Sequence, residues 1–224
     1  MARPLSDFAA MSGLPEFALV TFIAPPTTRV DWTTEVYRGL EKAARTFDLA
    51  IVGGETSRTT GPVTISISIA GRVEKDRWVS RGGGKSGDAL FVTGQLGGSL
   101  LGKHLRFTPR IVESRWLTRH FRINAMMDLS DGLGADLPRL ARASGVGFEI
   151  DELALPRTRG CSIQQAISDG EDYELLVAIS KDRAAALEKA WVREFPSLPL
   201  TRIGRLVAKS KIRNPRLPAG YAHF

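Results

Sequence analysis

The chain has 224 residues, of which 43% are hydrophobic and 25% are charged, and its formal net charge is +7. This length suffices for one large domain or two modest ones, and the composition is ordinary for a soluble globular protein. No apolar run is long enough to span a membrane, and residues 1–5 lack the basic-then-apolar order of a signal peptide. Cys161 is the only cysteine, so no disulfide forms within the chain, which fits a cytoplasmic location. Because Lys and Arg are spread along the sequence rather than clustered with aromatic residues, neither a nucleic-acid nor a membrane partner is expected.

The first part of the chain is predicted to mix helix and strand. Apolar residues at helical spacing predict a helix over residues 33–47. A short buried strand is predicted over 49–52, ending at Gly53 and Gly54, and strict alternation predicts a strand with one apolar face over 63–69. The glycine-rich stretch 81–87 reads as a loop or linker and marks the best boundary between domains.

The second part begins with a predicted strand over 89–93, which runs into a glycine-rich stretch at 94–98 and then a helix. Further helices are predicted over 111–121 and 181–195, and further strands over 146–150, 173–179 and 203–207. Because strands and helices alternate, the predicted class is mixed α and β.

The most informative stretch is residues 127–133, where an apolar strand gives way to a helix. Asp128 is expected to end the strand and Asp131 to begin the helix. Two acids held at one strand end repel each other unless a cation lies between them. Mg²⁺ prefers oxygen ligands and keeps substrate phosphates in its shell, so the pair predicts a magnesium site that carries a nucleotide phosphate. The alternative for Asp131 is a helix-capping role.

Asp7 and Glu55 also stand beside turn or helix-start signals, each next to an apolar segment that would anchor it. Together with the acid pair they would supply scattered carboxylates for Mg²⁺. Taken singly, Asp7 could be a helix N-cap and Glu55 a turn residue. The adjacent Gly53 and Gly54 would either let a ligand approach the backbone or form a plain tight turn.

Two glycine-rich stretches and a second acidic cluster complete the candidates. Residues 81–85 combine glycines with Arg81 and Lys85, which suits a polyphosphate, but the spacing is not that of a Walker A loop and a linker is the other interpretation. Residues 94–98 resemble a dinucleotide fingerprint only superficially, because no acid follows at the distance of a ribose contact. The acids in 169–174 repel one another, which a cation, a positively charged substrate ring or solvation would offset.

Five motifs in order resemble those of thiamine-monophosphate kinases, a family of the aminoimidazole ribonucleotide synthetase-like superfamily. They are Ser-Asp-Phe-Ala-Ala-Met at 6–11, Gly-Gly-Glu-Thr at 53–56, Asp-Leu-Ser-Asp-Gly-Leu at 128–133, Gly-Glu-Asp-Tyr-Glu-Leu at 170–175 and Gly-Tyr-Ala-His-Phe at 220–224. The resemblance implies a two-domain α+β fold, with an N-terminal domain over residues 1–84 and a C-terminal domain over residues 85–224. Family members begin with a further segment that carries metal ligands. The N-terminal domain is therefore expected to be incomplete, either in a shortened homologue or because the start was assigned too far downstream.

The resemblance also implies site residues by the match of motif positions. The metal ligands would be Asp7, Glu55, Asp128 and Asp131; the ATP-binding residues Gly54, Glu55, Arg81 and Ser130; and the substrate-binding residues Glu171, Asp172 and Tyr221. Glu55 stands where the family has Asp, which keeps the carboxylate but changes its reach. Asp169 stands where the family often has Gly.

The activity implied by the resemblance is ATP-dependent phosphorylation of thiamine phosphate to thiamine diphosphate, with Mg²⁺ as cofactor and a homodimer as the assembly. Since the acceptor is already an anion, the transfer requires positioning and charge neutralisation rather than a strong base. Two other hypotheses stay open here. One is another ATP-using enzyme of the same superfamily, against which the Gly-Tyr-Ala-His-Phe ending argues, and the other is a non-catalytic nucleotide-binding homologue.

Overall fold

The computed structural model describes residues 1–209, which form two β-sheets with helices packed against them. Within these residues the α-helices are α1 (Ala2–Ala10), α2 (Val30–Thr46), α3 (Ile111–His120), α4 (Leu133–Ala143), α5 (Ile163–Ser168) and α6 (Lys181–Glu194). The strands are β1 (Leu14–Ala24), β2 (Ala50–Arg58), β3 (Thr64–Arg72), β4 (Ala89–Thr93), β5 (Ala125–Asp128), β6 (Gly147–Ile150), β7 (Leu175–Ile179) and β8 (Leu200–Val207). No helix in this part of the chain is long and apolar enough to cross a membrane.

The two sheets come from successive parts of the chain. The first has the order β2-β1-β3, with β1 parallel to β2 and antiparallel to β3. The helix α2 is the crossover that a parallel β1–β2 pair requires. The second has the order β5-β7-β4-β8-β6, and all its neighbouring strands are antiparallel. This architecture confirms the mixed α+β class predicted from the sequence.

The five-stranded sheet separates two hydrophobic clusters, because side chains alternate between the faces of each strand. Phe91 and Val177 belong to one cluster, and Leu90 and Leu176 belong to the other. The helices α3 and α6 contribute to the first cluster and α4 to the second. Leu5 of α1 also lies in the first cluster, fully buried, so α1 is fixed against α3 and β5. This packing brings the acid of α1 to the carboxyl end of β5.

The N-terminal part of the chain differs from its predicted form in three ways. Asp7 lies inside α1, so its interpretation as an N-cap is wrong. β2 does not end at Gly53 and Gly54 but continues through them in parallel register with β1, so the tight-turn interpretation is also wrong. A Cβ at Gly54 would lie 1.8 Å from the carbonyl oxygen of Val20, and glycine alone lets the strand pass. Nor is β2 buried: Val52 is 58% exposed, because nothing in residues 1–209 covers its side chain.

In the second part, the predicted helices and strands are confirmed with small displacements of their ends, apart from the helix expected after residue 98. Two short 3₁₀ turns, Ser99–Leu101 and Lys103–Leu105, replace it. Gly98 and Gly102 both have positive φ, 89° and 91°, and a backbone in that conformation interrupts an α-helix. The segment therefore stays short and irregular where it approaches the second acidic cluster.

Candidate active site

Three chain segments meet at the carboxyl end of β5: the strand end itself, the loop before β7, and α1. Beyond the strand ends, the β5–β7 pairing continues through hydrogen bonds from the amide of Glu171 to the carbonyl of Ser130, at 2.7 Å, and from Tyr173 to Leu129, at 2.9 Å. From α1, the hydroxyl of Ser6 donates to Oδ2 of Asp128 at 2.6 Å. The two acidic motifs, distant in sequence, therefore lie side by side.

Asp128 is the buried acid of this site, with 7% of its surface exposed. Burial raises the pKa of its carboxyl, the charges of Asp7 and Asp131 raise it further, and the hydrogen bond from Ser6 opposes the rise. At Asp7, burial raises the pKa and the Arg81 guanidinium lowers it. These four charged side chains therefore act on one another as neighbours, and the three acids repel.

Asp131 lies just before α4, and its surroundings rule out the capping role. The N-cap of α4 is Gly132, and the Asp131 side chain bonds to the Arg139 guanidinium. The backbone amide of Asp131 donates to Oδ2 of Asp136 at 2.9 Å, while Arg139 donates to Oδ1 of Asp136 at 2.7 Å. Burial raises the pKa of Asp136 to about 6. The first two turns of α4 thus supply an acid, Asp136, and a cation, Arg139, that orient the Asp131 loop.

The second acidic cluster is offset by cations of the chain itself. Arg3 lies 2.5 Å from Glu171, and Lys103 lies 2.7 Å from Asp172. Arg110 and Glu174 form a bidentate pair: Nη2 donates to Oε1 at 2.7 Å and Nε donates to Oε2 at 2.8 Å. Solvation is therefore the wrong explanation for the three acids 171, 172 and 174. The offsetting cations are side chains of the chain itself.

These partners were missed because no local signal identifies them. Arg3, Lys103 and Arg110 stand far from the acids in sequence and belong to no recognised motif. The one indication in the sequence was that several acids stand close together without a neighbouring Lys or Arg. Which cations reach them is decided by packing of α1 and of the segment before α3.

The backbone of the second motif adopts uncommon conformations. Gly170, Glu171 and Tyr173 all have positive φ, of 68°, 50° and 53°. Non-glycine residues in that region carry strain that the surrounding structure must hold, and such residues cluster at functional sites. Burial raises the pKa of Tyr173 to about 12, with the acids of both motifs adding to the rise and Arg3 opposing it. The negative charges of Glu171, Asp128 and Asp131 therefore act on Tyr173 as well.

The buried carboxyl of Asp172 makes the free energy of unfolding depend on pH. It is 1% exposed, its Oδ1 accepts from Lys103 and from the Gly97 amide, and its Oδ2 has no hydrogen-bond partner among the described residues. Burial raises its pKa to about 6, although Lys103 opposes the rise. An unfolded Asp has a pKa of about 3.9, so the folded state binds this proton more tightly. The stability from this group is therefore full below about pH 4 and is lost as the pH rises through about 6.

We therefore expect the free energy of unfolding to depend less on pH in Asp172→Asn. Between about pH 4 and about pH 6, the value for the unchanged chain should fall relative to that of the variant, because only the unchanged chain must ionise the buried carboxyl. Urea unfolding at a series of pH values measures this difference. Asp182→Asn, which changes an exposed carboxylate on α6, serves as the control and should follow the unchanged chain. Parallel curves for Asp172→Asn and the unchanged chain would contradict the prediction.

The remaining predicted residues lie in three places. Gly54 and Glu55 lie in β2, where Glu55 is exposed and its Oε1 accepts from Ser57 at 2.8 Å. Arg81 is exposed in the loop after β3, close enough to act on Asp7. Tyr221 lies outside the described residues. The structure thus brings together the acids of α1 and the two C-terminal motifs, and records no contact between them and Glu55.

Within residues 1–209, no three His, Cys, Asp or Glu side chains lie close enough to hold a metal ion by themselves. Magnesium in nucleotide sites commonly takes one or two carboxylates and completes its shell with waters and substrate phosphates. Asp7 and Asp128 fit a site of that kind, because they present oxygen ligands whose charges repel one another. A dedicated all-protein cage does not fit the described residues.

A groove of about 540 Å³ opens near the carboxyl ends of β1 and β2. Phe22 and Tyr37 line it, with ring centroids 6.2 Å apart and planes inclined by 53°. Thr56 also lines it and directly follows Glu55 in β2. Aromatic walls suit a flat, partly apolar ring. This groove was missed because its walls come from separate elements.

Comparison with known proteins identifies the two sheets with two known domains. The family model for the AIR synthase related protein, N-terminal domain, matches residues 1–73, and that for the C-terminal domain matches residues 78–213. A thiamine-monophosphate kinase of Rhodopirellula baltica is 40% identical over 221 residues, covering 94% of this chain and 68% of that relative.

Solved structures agree in fold and in sequence. A thiamine-monophosphate kinase from Stenotrophomonas maltophilia K279a superposes with a TM-score of 0.82 at 30% identity, covering 92% of this chain and 74% of that one. The structure of AaThiL complexed with AMPPCP and TMP gives a TM-score of 0.81 at 32% identity, covering 98% and 77% of the two chains. The chain therefore belongs to the thiamine-monophosphate kinase family of AIR synthase related proteins.

Proposed function

We propose that this chain transfers the γ-phosphoryl group of ATP to thiamine phosphate and forms thiamine diphosphate. Asp7, Glu55, Asp128 and Asp131 would bind Mg²⁺ ions together with substrate phosphates, with no single ion taking three of these carboxylates. The observation that carries the proposal is the buried Asp128, surrounded by repelling acids and lying beside the Glu171 loop. The complex of the relative AaThiL with AMPPCP and TMP supports an ATP-like donor and this acceptor.

The chain contributes charge and position to the transfer. When bound, Mg²⁺ would supply positive charge that neutralises the phosphate groups during the transfer. The hydroxyl of Ser6 donates a hydrogen bond to one carboxylate oxygen of Asp128 and so orients this side chain. Arg81, which is exposed and close to Asp7, would bind a phosphate of the nucleotide, as would Ser130 between the two acids of its motif. No general base is assigned, because the acceptor oxygen is already anionic.

The acceptor carries a cationic thiazolium, which the second acidic motif suits. Glu171 is the proposed contact, because its side chain is 24% exposed and paired with Arg3. The Asp172 side chain is fully buried and paired with Lys103, so its proposed role is to hold the loop. A cationic ring at Glu171 would compete with the Arg3 guanidinium. Tyr221, also proposed as a substrate contact, lies outside the described residues.

The base of the nucleotide is proposed to enter the groove walled by Phe22 and Tyr37. The groove lies next to Gly54 and Glu55, whose strand is exposed where it passes. Glycine leaves its backbone uncovered, so a phosphate could approach Gly54. The same nucleotide would then place its base in the groove. Tyr37→Ala should then raise the KM for ATP and leave the KM for thiamine phosphate unchanged.

The experiment that tests the function is a thiamine-phosphate kinase assay on the purified chain with Mg²⁺, following thiamine diphosphate directly. Turnover is expected with ATP, should depend on Mg²⁺, and should disappear with EDTA. Thiamine replacing thiamine phosphate is the matched control, because it presents the same cation without the acceptor oxygen. Binding of AMPPCP without turnover under any metal condition would contradict the proposed reaction.

A nucleotide-binding protein without turnover is the second candidate. It is favoured by one observation: within residues 1–209 the acids do not form a complete metal site, and Glu55 stands apart from the others. Calorimetric titration with AMPPCP and Mg²⁺ followed by the assay separates the two functions.

We also propose a homodimer. Phe17 and Leu19 lie on one face of β1 and are each 50% exposed, and no described residue covers that face. Contiguous apolar exposure of this kind marks an interface, and a second copy of the same sheet is the proposed occupant. Sedimentation equilibrium tests this assembly, and a monomer at all concentrations would contradict it.

The division into residues 1–84 and 85–224 and a cytoplasmic location stay proposals.

A further inference from the structure

Three consecutive residues of the second acidic motif each hold one residue of the segment that precedes α3. We name residues 103–110 the clamp segment. Asp172 pairs with Lys103 at 2.7 Å, and Glu174 pairs with Arg110 at 2.7 Å. Between them, Tyr173 stacks on Phe107, the ring centroids being 4.0 Å apart and the planes inclined by 19°.

The two ion pairs fix the ends of the clamp segment. Both acids are almost fully buried, with side chains 0% and 5% exposed, and the cations are 22% and 18% exposed. Pairs desolvated to this degree are held in defined geometry, unlike ion pairs at a free surface. Phe107 is therefore positioned by contacts on both sides of it, although its own segment has no regular structure beyond a 3₁₀ turn.

Phe107 contacts the candidate active site through Tyr173, the residue on which it stacks. Its partner Tyr173 is buried and lies in the field of Glu171, Asp128 and Asp131. Phe107 itself is only half-buried, and Tyr173 is its sole ring contact among the described residues. A parallel stack covers one face of each ring, and the part of Phe107 that stays exposed can contact a ligand.

We infer that Phe107 forms an aromatic wall of the acceptor subsite and stacks on the cationic heteroaromatic ring that Glu171 attracts. This inference rests on the proposed function and assigns a further binding residue to it. A cation is attracted to the face of an aromatic ring, and the negative charges of Glu171, Asp128 and Asp131, which act on the neighbouring Tyr173, add to this attraction. The ring recognised is therefore flat and positively charged, and an uncharged ring of the same size should bind more weakly.

The test compares Phe107→Leu with Phe107→Tyr. Phe107→Leu keeps apolar volume and removes the ring, so the KM for thiamine phosphate should rise about 3- to 30-fold, the range for losing one cation–π contact, while the KM for ATP stays unchanged. Phe107→Tyr keeps the ring and should restore the KM. Leu105→Ala is the matched control, because Leu105 belongs to the same segment and is 76% exposed.

A second readout is independent of turnover. Phe107→Trp places an indole at this position, and its fluorescence should be quenched when thiamine phosphate is added in the presence of AMPPCP and Mg²⁺. Thermal unfolding of every variant shows whether the fold is retained.

Three results would count against the inference. Equal affinity of Phe107→Leu and the unchanged chain for thiamine phosphate would overturn the inference alone and leave the kinase assignment standing. Equal rises in both KM values, accompanied by a lower Tm, would show a purely structural role and would also overturn it. An unchanged chain that neither binds nor phosphorylates thiamine phosphate would overturn the proposed function and, with it, the inference.

Discussion

Asp128→Asn should lower kcat for thiamine-phosphate phosphorylation by roughly 10²- to 10³-fold, the cost of removing one preorganised charge-stabilising group from an active site. The carboxyl of Asp128 is buried and its pKa is raised, so its ionised form is already unfavourable in the absence of a cation. Asparagine keeps the shape and can still accept the hydrogen bond from Ser6, but it removes the charge that would hold Mg²⁺.

The same change should leave the free energy of unfolding near neutral pH equal or higher, because repulsion from Asp7 and Asp131 is relieved. Steady-state kinetics over a range of Mg²⁺ concentrations, together with urea unfolding, measure both quantities. Asp182→Asn changes an exposed carboxylate on α6 and should alter neither. Loss of activity together with a large loss of stability would mean that Asp128 serves the fold, and unaltered kcat would remove it from the site.

Arg110→Ala should destabilise the chain by about 3 kcal/mol, because removing one partner of a buried pair leaves the other charge uncompensated. Glu174 is 4% exposed. After the change, the hydroxyl of Thr93, which donates at 2.7 Å, would be the one hydrogen-bond donor left to its carboxylate among residues 1–209. For a chain of this length, Tm falls by about 2–4 °C for each kcal/mol. The clamp segment would also lose one of its two ion pairs.

The control for this prediction is Arg205→Ala. Arg205 pairs with Glu149 at 2.7 Å, a matching distance, but the two side chains are 60% and 37% exposed, so the loss should be under about 1 kcal/mol. Adding Glu174→Gln to Arg110→Ala should recover part of the lost stability, since no buried charge is then left unpaired. Equal losses in Arg110→Ala and Arg205→Ala would contradict the argument from burial.

The local elements were largely predictable because short-range periodicity determines them. The helix α2 and the strands β4 and β7 follow from the spacing of apolar residues, which needs no knowledge of the fold. The continuation of β2 through Gly54 was not predictable, because glycine is required there by the close approach of the Val20 carbonyl oxygen in another strand. The same reason applies to α1, whose apolar side is defined by a core supplied from the second half of the chain.

By itself, the sequence determined the acid pair Asp128 and Asp131, its place between strand and helix, and the family to which its motifs belong. The acid pair is local in sequence, so residue type and spacing indicate it, and the family is indicated by the resemblance of the five motifs. Only the tertiary structure decided which charges share the site: that Ser6 holds Asp128, and that Arg3 and Lys103 offset the second motif. Those contacts join residues far apart along the chain, and their energies depend on burial and distance, which arise only when α1 and the clamp segment pack against the five-stranded sheet.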